Sequence, residues 1–336
     1  MTRCLKNSVG IWSFGINPTE HLLQGYHPEY GTEGIIDRTN RAVEGLGDLV
    51  DGFEYQYLYE INESNAELIN NTLGSKDIYS IAVNLCMMSQ YREGDFTNPD
   101  KRKRTEVICL SKSAIDLAAQ FKSQIVLKYS CPVFNPKDIK EYHKAWCLLI
   151  EGLQECLEYT NQKKVNICLN HKQQSLFAGW SKQSDLYVIN KLKSQNIDVS
   201  FMKINMSCPE LQQQKVSLAE YSAFLGMEKS LGHIHANPGC NDLYGNSPEL
   251  ENTVLFAHTL QNIGYGKNGE RIGFDVFPYS GHQIEIVKNS IKYWNYCNEI
   301  ASKLNLKVSG LDSSKSDNMD IYRKIYKEVG IKSGII

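Results

Sequence analysis

The chain has 336 residues, 42% of them hydrophobic, and its 36 basic and 38 acidic residues give a formal net charge of −2. A chain of this length can bury a large core and has the size of one α/β barrel. The near-neutral balance provides no field that attracts a phosphate backbone or an anionic membrane, so we expect neither nucleic acid nor membrane as a partner.

Cysteine usage and the absence of an apolar leader point to one compartment. The ten cysteines are scattered, with no Cys-x-x-Cys pair, which is typical of a reducing environment. The first residues, MTRCLKNSVGIW, have no apolar core of signal-peptide length, and no later segment approaches the roughly 20 apolar residues of a membrane span. We expect a cytoplasmic protein.

Short runs rich in β-branched and aromatic residues alternate along the chain with longer segments of helical period. Eight runs predict strands, near 9–15, 49–57, 78–85, 123–130, 164–170, 199–206, 231–237 and 271–277. Clear helical segments begin near 100, 135, 217 and 282. Strands that alternate with helices pair in parallel, and eight such units close into a barrel. The sequence predicts a single (β/α)8 barrel over 1–305 and a short C-terminal tail over 306–336 that packs on the barrel or on a partner.

The chemistry of such a barrel belongs at the carboxyl ends of its strands. Polar and aromatic residues crowd those predicted ends. The candidates are Trp12, Glu54, Tyr55, Tyr129, Asn170, His171, Lys172, Glu210, His235, Asn237, Asp242 and Asp275.

Several of these stretches resemble the shorter bacterial type of xylose isomerase. VGIWSFG resembles its first strand, with Trp12 in place of the tryptophan of the sugar pocket. Residues 84–130 resemble its third strand, loop, helix and fourth strand, and GFDVFPYSG resembles its last strand. The resemblance runs from about residue 8 to about residue 300 and implies the same barrel. The long C-terminal arm that wraps a neighbouring subunit in the tetramers of that family is mostly missing, which argues against the same tetramer. A homo-oligomer or a complex with a small partner subunit is expected.

The resemblance also implies a cage of four carboxylates around one divalent ion, at the ends of the fifth to eighth strands. The matching positions of this chain carry, in order, Asn170, Ser207, His235 and Asp275. The ring-opening pair of the family falls on Tyr55 and Gln56. Losing about three negative charges beside a dication removes large electrostatic interactions. Ordinary xylose isomerisation is therefore not expected.

A reduced metal site is the alternative that these residues favour. His235 and Asp275 are the expected ligands, with an oxygen from Asn170 or Glu210. Such a mixed site would hold at most one divalent ion, of manganese, zinc, magnesium or iron. His233 shares a strand face with His235 but lies deeper, where a hydrogen-bonded core histidine is expected. No dinucleotide fingerprint is present, so no nucleotide cofactor is expected.

These residues predict an enzyme that acts on a carbohydrate or glycoside. Lys172 matches the lysine that polarises the sugar oxygen in the family, and Glu54 and Tyr55 are candidates for proton transfer. The predicted substrate-binding residues are Trp12, Tyr129, His171, Asn237 and Asp242. The predicted activity is that of a sugar isomerase or epimerase. Two alternatives stay open at this point, a lyase subunit like those of C-glycoside deglycosidases and a sugar-binding barrel without catalysis.

Overall fold

The structure is a computed structural model that describes residues 5–19, 21–130, 139–171, 183–238, 249–304 and 318–330. Eight strands form a closed barrel in the order of the sequence, which confirms the predicted (β/α)8 fold. The strands are β1 Asn7–Gly10, β2 Gly52–Gln56, β3 Asp77–Asn84, β4 Gln124–Tyr129, β5 Ile167–His171, β6 Met202–Ser207, β7 Leu231–Ala236 and β8 Ile272–Phe274.

The barrel closes between its first and last strands. β1 pairs with β2 on one side and with β8 on the other, where Ser8 lies beside Gly273 and Val9 beside Phe274. Every neighbouring pair is parallel. All eight strands therefore end at one rim, where the loops that follow them can share a site.

The helices that connect the strands cover the outside of the barrel. The described helices are α1 Ile35–Leu46, α2 Ala66–Leu73, α3 Lys101–Phe121, α4 Ile139–Lys163, α5 Gln183–Ser194, α6 Cys208–Gln213, α7 Leu218–Met227, α8 Leu250–Ile263, α9 Gln283–Lys303 and α10 Asn318–Glu328. α3 begins behind Asp100, whose carboxylate accepts the backbone N–H of Arg102 at 2.8 Å and so caps the first turn. The predicted starts of α3, α7 and α9 are confirmed to within a residue, whereas position 135 lies outside the described residues.

The two faces of the strands differ in character because successive side chains alternate between the inside and the outside of the barrel. The outward side chains belong to the main apolar core, among them Phe53, Ile81, Leu127, Leu169 and Ile234. Inside, a small apolar cluster contains Trp12, Ala82, Val126 and Cys168. The remaining inward positions are largely polar and buried, among them Ser8, Glu54, Asn84, Lys128, Asn170, Asn205, His233 and His235.

The first and last strands are shorter than predicted. β1 ends at Gly10, and Ile11–Phe14 form a single 3-10 turn that folds the indole of Trp12 back over the strand. A Cβ at position 10 would lie 2.1 Å from Cε2 of Trp12, so glycine is what makes room for the ring. β8 ends at Phe274, which puts Asp275 in the loop that follows.

The C-terminal helix α10 packs on the barrel's outer helices α8 and α9. Ile325 is buried in this contact, and the hydroxyl of Tyr326 donates to Glu251. Residues 305–317 lie outside the described part, so the predicted domain boundary stays a prediction, as do the location and assembly of the chain. No described helix has the length and apolar character needed to cross a membrane.

Candidate active site

A carboxylate and two imidazoles meet inside the barrel, halfway along the strands. Glu54 on β2 accepts the hydroxyl of Ser8 at 2.7 Å. Nε2 of His233 and Nε2 of His235, both on β7, lie 3.1 and 3.0 Å from its Oε2. Burial alone raises the pKa of Glu54, but the two facing imidazoles together outweigh it and hold that pKa well below its usual range. The buried carboxylate is therefore ionised.

Glu54 reaches the histidines across two intervening strands, β1 and β8. On β8 the residue that faces this cluster is Gly273. A Cβ at that position would lie 2.3 Å from Oε1 of Glu54 and 2.8 Å from Nε2 of His233. Such distances are far inside van der Waals contact, so the cluster forms because position 273 has no side chain.

The other edge of His235 faces the rim. Its Nδ1 lies 3.2 Å from the Nδ2 of Asn205 and 3.8 Å from the Oδ2 of Asp275. Trp12 donates its indole N–H to Oδ1 of Asp275 at 2.7 Å and so orients that carboxylate. Burial lowers the pKa of His235, although Glu54 acts in the opposite direction. The lowered pKa favours a neutral ring. With Nε2–H donated to Glu54, the Nδ1 lone pair points towards Asn205 and Asp275.

Two positions around His235 offer ligands for a cation. On the Nε2 side, ligand atoms of Glu54, His233 and His235 lie within 4.8 Å of one another. On the Nδ1 side, His235 and Asp275 offer a nitrogen and a carboxylate oxygen. Nδ2 of Asn205 faces Nδ1 on this side, and Oδ1 of the same amide is buried without a hydrogen-bond partner among the described residues. Either set mixes nitrogen and oxygen donors, as zinc, manganese and iron sites do.

A lysine lies near the indole of Trp12, and its charge also acts on a buried glutamate in the loop after β2. Nζ of Lys128, on β4, lies 5.2 Å from the centre of the Trp12 ring. Glu60, in the loop after β2, accepts the backbone N–H of Gln56 at 2.8 Å and lies 3.6 Å from Nη1 of Arg38. Burial raises the pKa of Glu60 to about 7, against the opposing effects of Gln56, Arg38 and Lys128. Such a carboxyl group can take up and release a proton near neutral pH.

Aromatic rings continue from Trp12 towards the surface. Phe277 packs against the cluster that contains Trp12. The Phe277 and Tyr279 ring centres are 6.5 Å apart, and Tyr279 lies 5.1 Å from Tyr26, which is 46% exposed. Flat apolar faces beside polar groups are a common feature of sites that bind sugar rings.

The structure brings several predicted site residues together. Glu54, His235, Asp275 and Trp12 form a chain of contacts in that order. Asn170 faces inwards beside Lys128 on the neighbouring strand. Asn237 follows β7 and is buried, and Glu210 lies in the first turn of α6, after β6. The functional roles of all these residues stay predictions.

Three other predicted residues are not brought to this cluster. Tyr55, Tyr129 and His171 alternate with the inward residues and therefore lie on the outer face, under the helices. The Tyr55 hydroxyl lies 3.2 Å from Oγ1 of Thr39, and the Tyr129 hydroxyl donates to Oδ1 of Asp185 at 2.6 Å. The ring of His171 lies 5.5 Å from that of Tyr129. The sequence predicted a rim position for these three residues. Because successive side chains of a strand point to opposite faces, they lie on the outer face instead.

Two predicted residues, Lys172 and Asp242, lie outside the described residues. Ser8, Glu60, Lys128 and Asn205 were not among the residues predicted from the sequence. Lys128 had a visible signal, because it is a charged residue within the otherwise apolar run IVLKY. Glu60 and Asn205 had none that distinguishes them from ordinary polar residues.

The sequence matches the model of a protein family described as xylose isomerase-like TIM barrel, over residues 41–297. No curated protein matches the sequence significantly.

Solved structures share the fold at low sequence identity. An L-ribulose 3-epimerase is similar with a TM-score of 0.65 and 12% identity, covering 92% of this chain and 99% of its own. A 3-keto-D-glucoside 4-epimerase from E. coli has a TM-score of 0.59 and 13% identity, covering 79% and 95%. A D-psicose 3-epimerase, solved in the presence of D-fructose, has a TM-score of 0.56 and 13% identity, covering 97% of each chain.

Proposed function

The chain belongs to the family of xylose isomerase-like TIM barrels, and from this premise we propose that it is a sugar isomerase or epimerase that moves a proton on a carbon next to a carbonyl. The observation that carries the proposal is the place of His235, between the ionised Glu54 and the rim carboxylate Asp275. The named epimerases of the same fold act on sugars, which supports a carbohydrate substrate.

We place one divalent cation at Nδ1 of His235, with Asp275 as a further ligand. Binding turns the Asn205 side-chain amide over, so that its oxygen rather than Nδ2 faces the cation. Glu54 is already satisfied by Ser8 and the two histidines, so it serves as the carboxylate that orients a ligating imidazole. The predicted oxygen of Asn170 or Glu210 would complete the site. When bound, the cation would act as a Lewis acid that polarises the substrate carbonyl.

The residues around the cation position have distinct parts in this proposal. Trp12 provides an apolar face for the sugar ring and holds Asp275 in place. Glu60 accepts the proton from the carbon, and the electron pair that is left forms an enediolate. Protonation of the same carbon from the opposite face, by a second donor such as solvent, would give an epimer. Protonation of the neighbouring carbon, with the hydroxyl proton of the enediol moving to the other oxygen, would give an isomer. Lys128 stabilises the negative charge, and Lys172 stays the predicted second group on the sugar oxygen.

Hydrogen exchange tests the proposed chemistry directly. The protein is incubated in D2O with manganese and D-fructose, D-psicose, L-ribulose or D-xylose, and deuterium at the carbons beside the carbonyl is measured by NMR. Glu60→Gln should slow exchange about 100-fold or more because the base is lost. The exposed Glu67→Gln is the matched control. The value of kcat/KM should fall as the pH is lowered through about 7, because Glu60 must be ionised to act as the base and its pKa is about 7.

Failure to exchange with any of these sugars, combined with tight binding of one of them, would mean a sugar-binding barrel without turnover. Exchange that survives Glu60→Gln unchanged would remove Glu60 from the mechanism while leaving the activity in place.

Metal content tests the cation position separately. Asp275→Asn and His235→Gln should both lower metal stoichiometry, measured by elemental analysis before any chelation, whereas His233→Gln should retain most of it. The reverse pattern, with loss in His233→Gln and none in Asp275→Asn, would place the cation between Glu54 and the two histidines. A metal-free parent protein would contradict both positions.

A further inference from the structure

A cavity of about 400 Å³ opens at the amino end of the barrel, opposite the candidate active site. It is lined by residues at the starts of strands, including Gln124 at the start of β4, Lys203 on β6 and Gly232 on β7. Its volume falls in the range of roughly 300–1,000 Å³ typical of small-molecule pockets. The cavity plays no part in the proposed proton transfer.

The lining of this cavity has an excess of positive charge. Four lysines and one glutamate contribute to it: Lys122, Lys163, Lys164, Lys203 and Glu270. Lys163 is paired with Asp116 at 2.5 Å, and Glu270 accepts amide groups of its own turn. Lys122 and Lys164 form no ion pair within the part of the chain that the structure describes. The cavity therefore presents cations that an anion could neutralise.

A buried amide provides a second, independent sign of a ligand. Gln124 is only 8% exposed, and its Oε1 accepts the thiol of Cys168 at 3.6 Å. Its Nε2 is buried and has no acceptor among the described residues. Buried donors are nearly always paired, so this cavity-lining side chain carries a donor whose acceptor is missing. Lys203 donates to the carbonyl of Lys229 at 3.0 Å and keeps two further N–H groups for a ligand.

Helix ends explain part of this arrangement. Lys122 and Lys164 follow the carboxyl ends of α3 and α4, where a cation is favourable. Lys215 and Lys229 follow α6 and α7 in the same left-handed conformation, with φ of 57° and 53° against 55° and 57°. Those two lysines do not line the cavity. Helix ends account for the charges but not for the unpaired amide of Gln124 in the same lining.

We propose that the amino-end cavity binds a phosphate group, free or carried by a small metabolite, through Lys122, Lys164, Lys203 and Gln124. Phosphate offers several acceptor oxygens to converging donors, and lysine is a common partner for it. Tyr79 also lines the cavity, and its ring lies 5.5 Å from that of His233. One side chain thus separates the phosphate site from the histidine cluster. The proposal does not depend on the proposed isomerase activity.

Calorimetric titration at low ionic strength tests it, with inorganic phosphate, glycerol 3-phosphate and, as the neutral comparison, glycerol. The parent should bind a phosphate probe and not glycerol. The double variant Lys122→Asn/Lys164→Asn should weaken binding tenfold or more, and asparagine tolerates the left-handed conformation. The matched control, Lys215→Asn/Lys229→Asn, has the same charge change and should bind as the parent does. Tighter binding of the ester than of inorganic phosphate would identify a metabolite site, and the reverse would identify a free phosphate site.

A second variant, Gln124→Leu, removes the unpaired donor without changing the charge. It should weaken phosphate binding, while thermal unfolding without phosphate stays unchanged or shifts upwards. Absence of binding to the parent at millimolar probe, or equal weakening in the control pair, would overturn the proposal. So would full binding by Gln124→Leu together with full binding by the Lys122/Lys164 variant.

Discussion

The inner and outer faces of the same eight strands are built for different purposes. Outward side chains such as Phe53, Leu127 and Ile234 are apolar and fully buried against the helices. Inward side chains one position away, such as Glu54 and Lys128, are polar and also buried, with exposures of 0% and 7%. Burial alone therefore does not show what a residue of this barrel does.

The difference shows where stability and chemistry come from. Removing apolar surface from water is the dominant favourable contribution to folding, and the outer face provides it. The inner face instead buries charges and amides, which costs free energy unless they are paired. A barrel can tolerate such an interior because its outer core is large. Substitutions on the two faces should therefore differ in kind.

The largest effect is expected on the outer face. Phe53→Ala should lower the free energy of unfolding by about 3–5 kcal/mol, because it removes a fully buried ring and leaves a cavity. Urea denaturation followed by circular dichroism measures it. The matched inner substitution is Asn84→Ala on β3, where neither amide atom has a hydrogen-bond partner among the described residues. It should cost below about 1 kcal/mol. Equal costs at the two positions would contradict the division between the faces.

A smaller effect is expected inside the barrel at Gly273, where an added side chain would compete with Glu54 for space. Gly273→Ala puts a Cβ against Glu54 and should cost about 1–3 kcal/mol through overpacking. The same substitution in a Glu54→Ala background should cost less, because the clashing carboxylate is gone. A double-mutant cycle by chemical denaturation gives the coupling. Independent, additive costs would show that Glu54 can move away without loss.

The smallest effect is expected at Tyr55, one residue from Glu54 but on the opposite face. Tyr55→Phe removes only the hydroxyl that meets Thr39 and should cost about 1 kcal/mol or less. Hydrogen exchange into sugars and metal content should both match those of the parent. Thr39→Val, which removes the other partner of the same contact, is the control. A loss of exchange in Tyr55→Phe alone would return this tyrosine to the catalytic site.

The barrel could be predicted because its signals are local. Each strand has its own β-branched or aromatic run, and each clear helix has its own period and start, as with Asp100 before α3. The errors lie at the ends of strands. Residues 11–14 read as a continued strand but form a turn, because Gly10 lets the Trp12 indole fold back.

The site was harder to predict because its contacts are distant in sequence. His233 was expected to be a hydrogen-bonded core histidine, but its partner could not be named. That partner, Glu54, lies 179 residues away and meets it only after the barrel has closed. Tyr55, Tyr129 and His171 were placed at the rim because they stand at strand ends. A shift of one residue moves a side chain to the other face, and the sequence does not give register to that accuracy.

Gly273 also bears on how sequences of this kind can diverge. Every single-base change that replaces a glycine introduces a side chain, so the position cannot drift while Glu54 and His233 keep their contact. In related barrels, a larger residue at the matching position should be accompanied by loss of the glutamate, of the deeper histidine, or of both. The residues that a relative carries at the positions matching 54 and 273 should therefore show whether it keeps this interior or has replaced it.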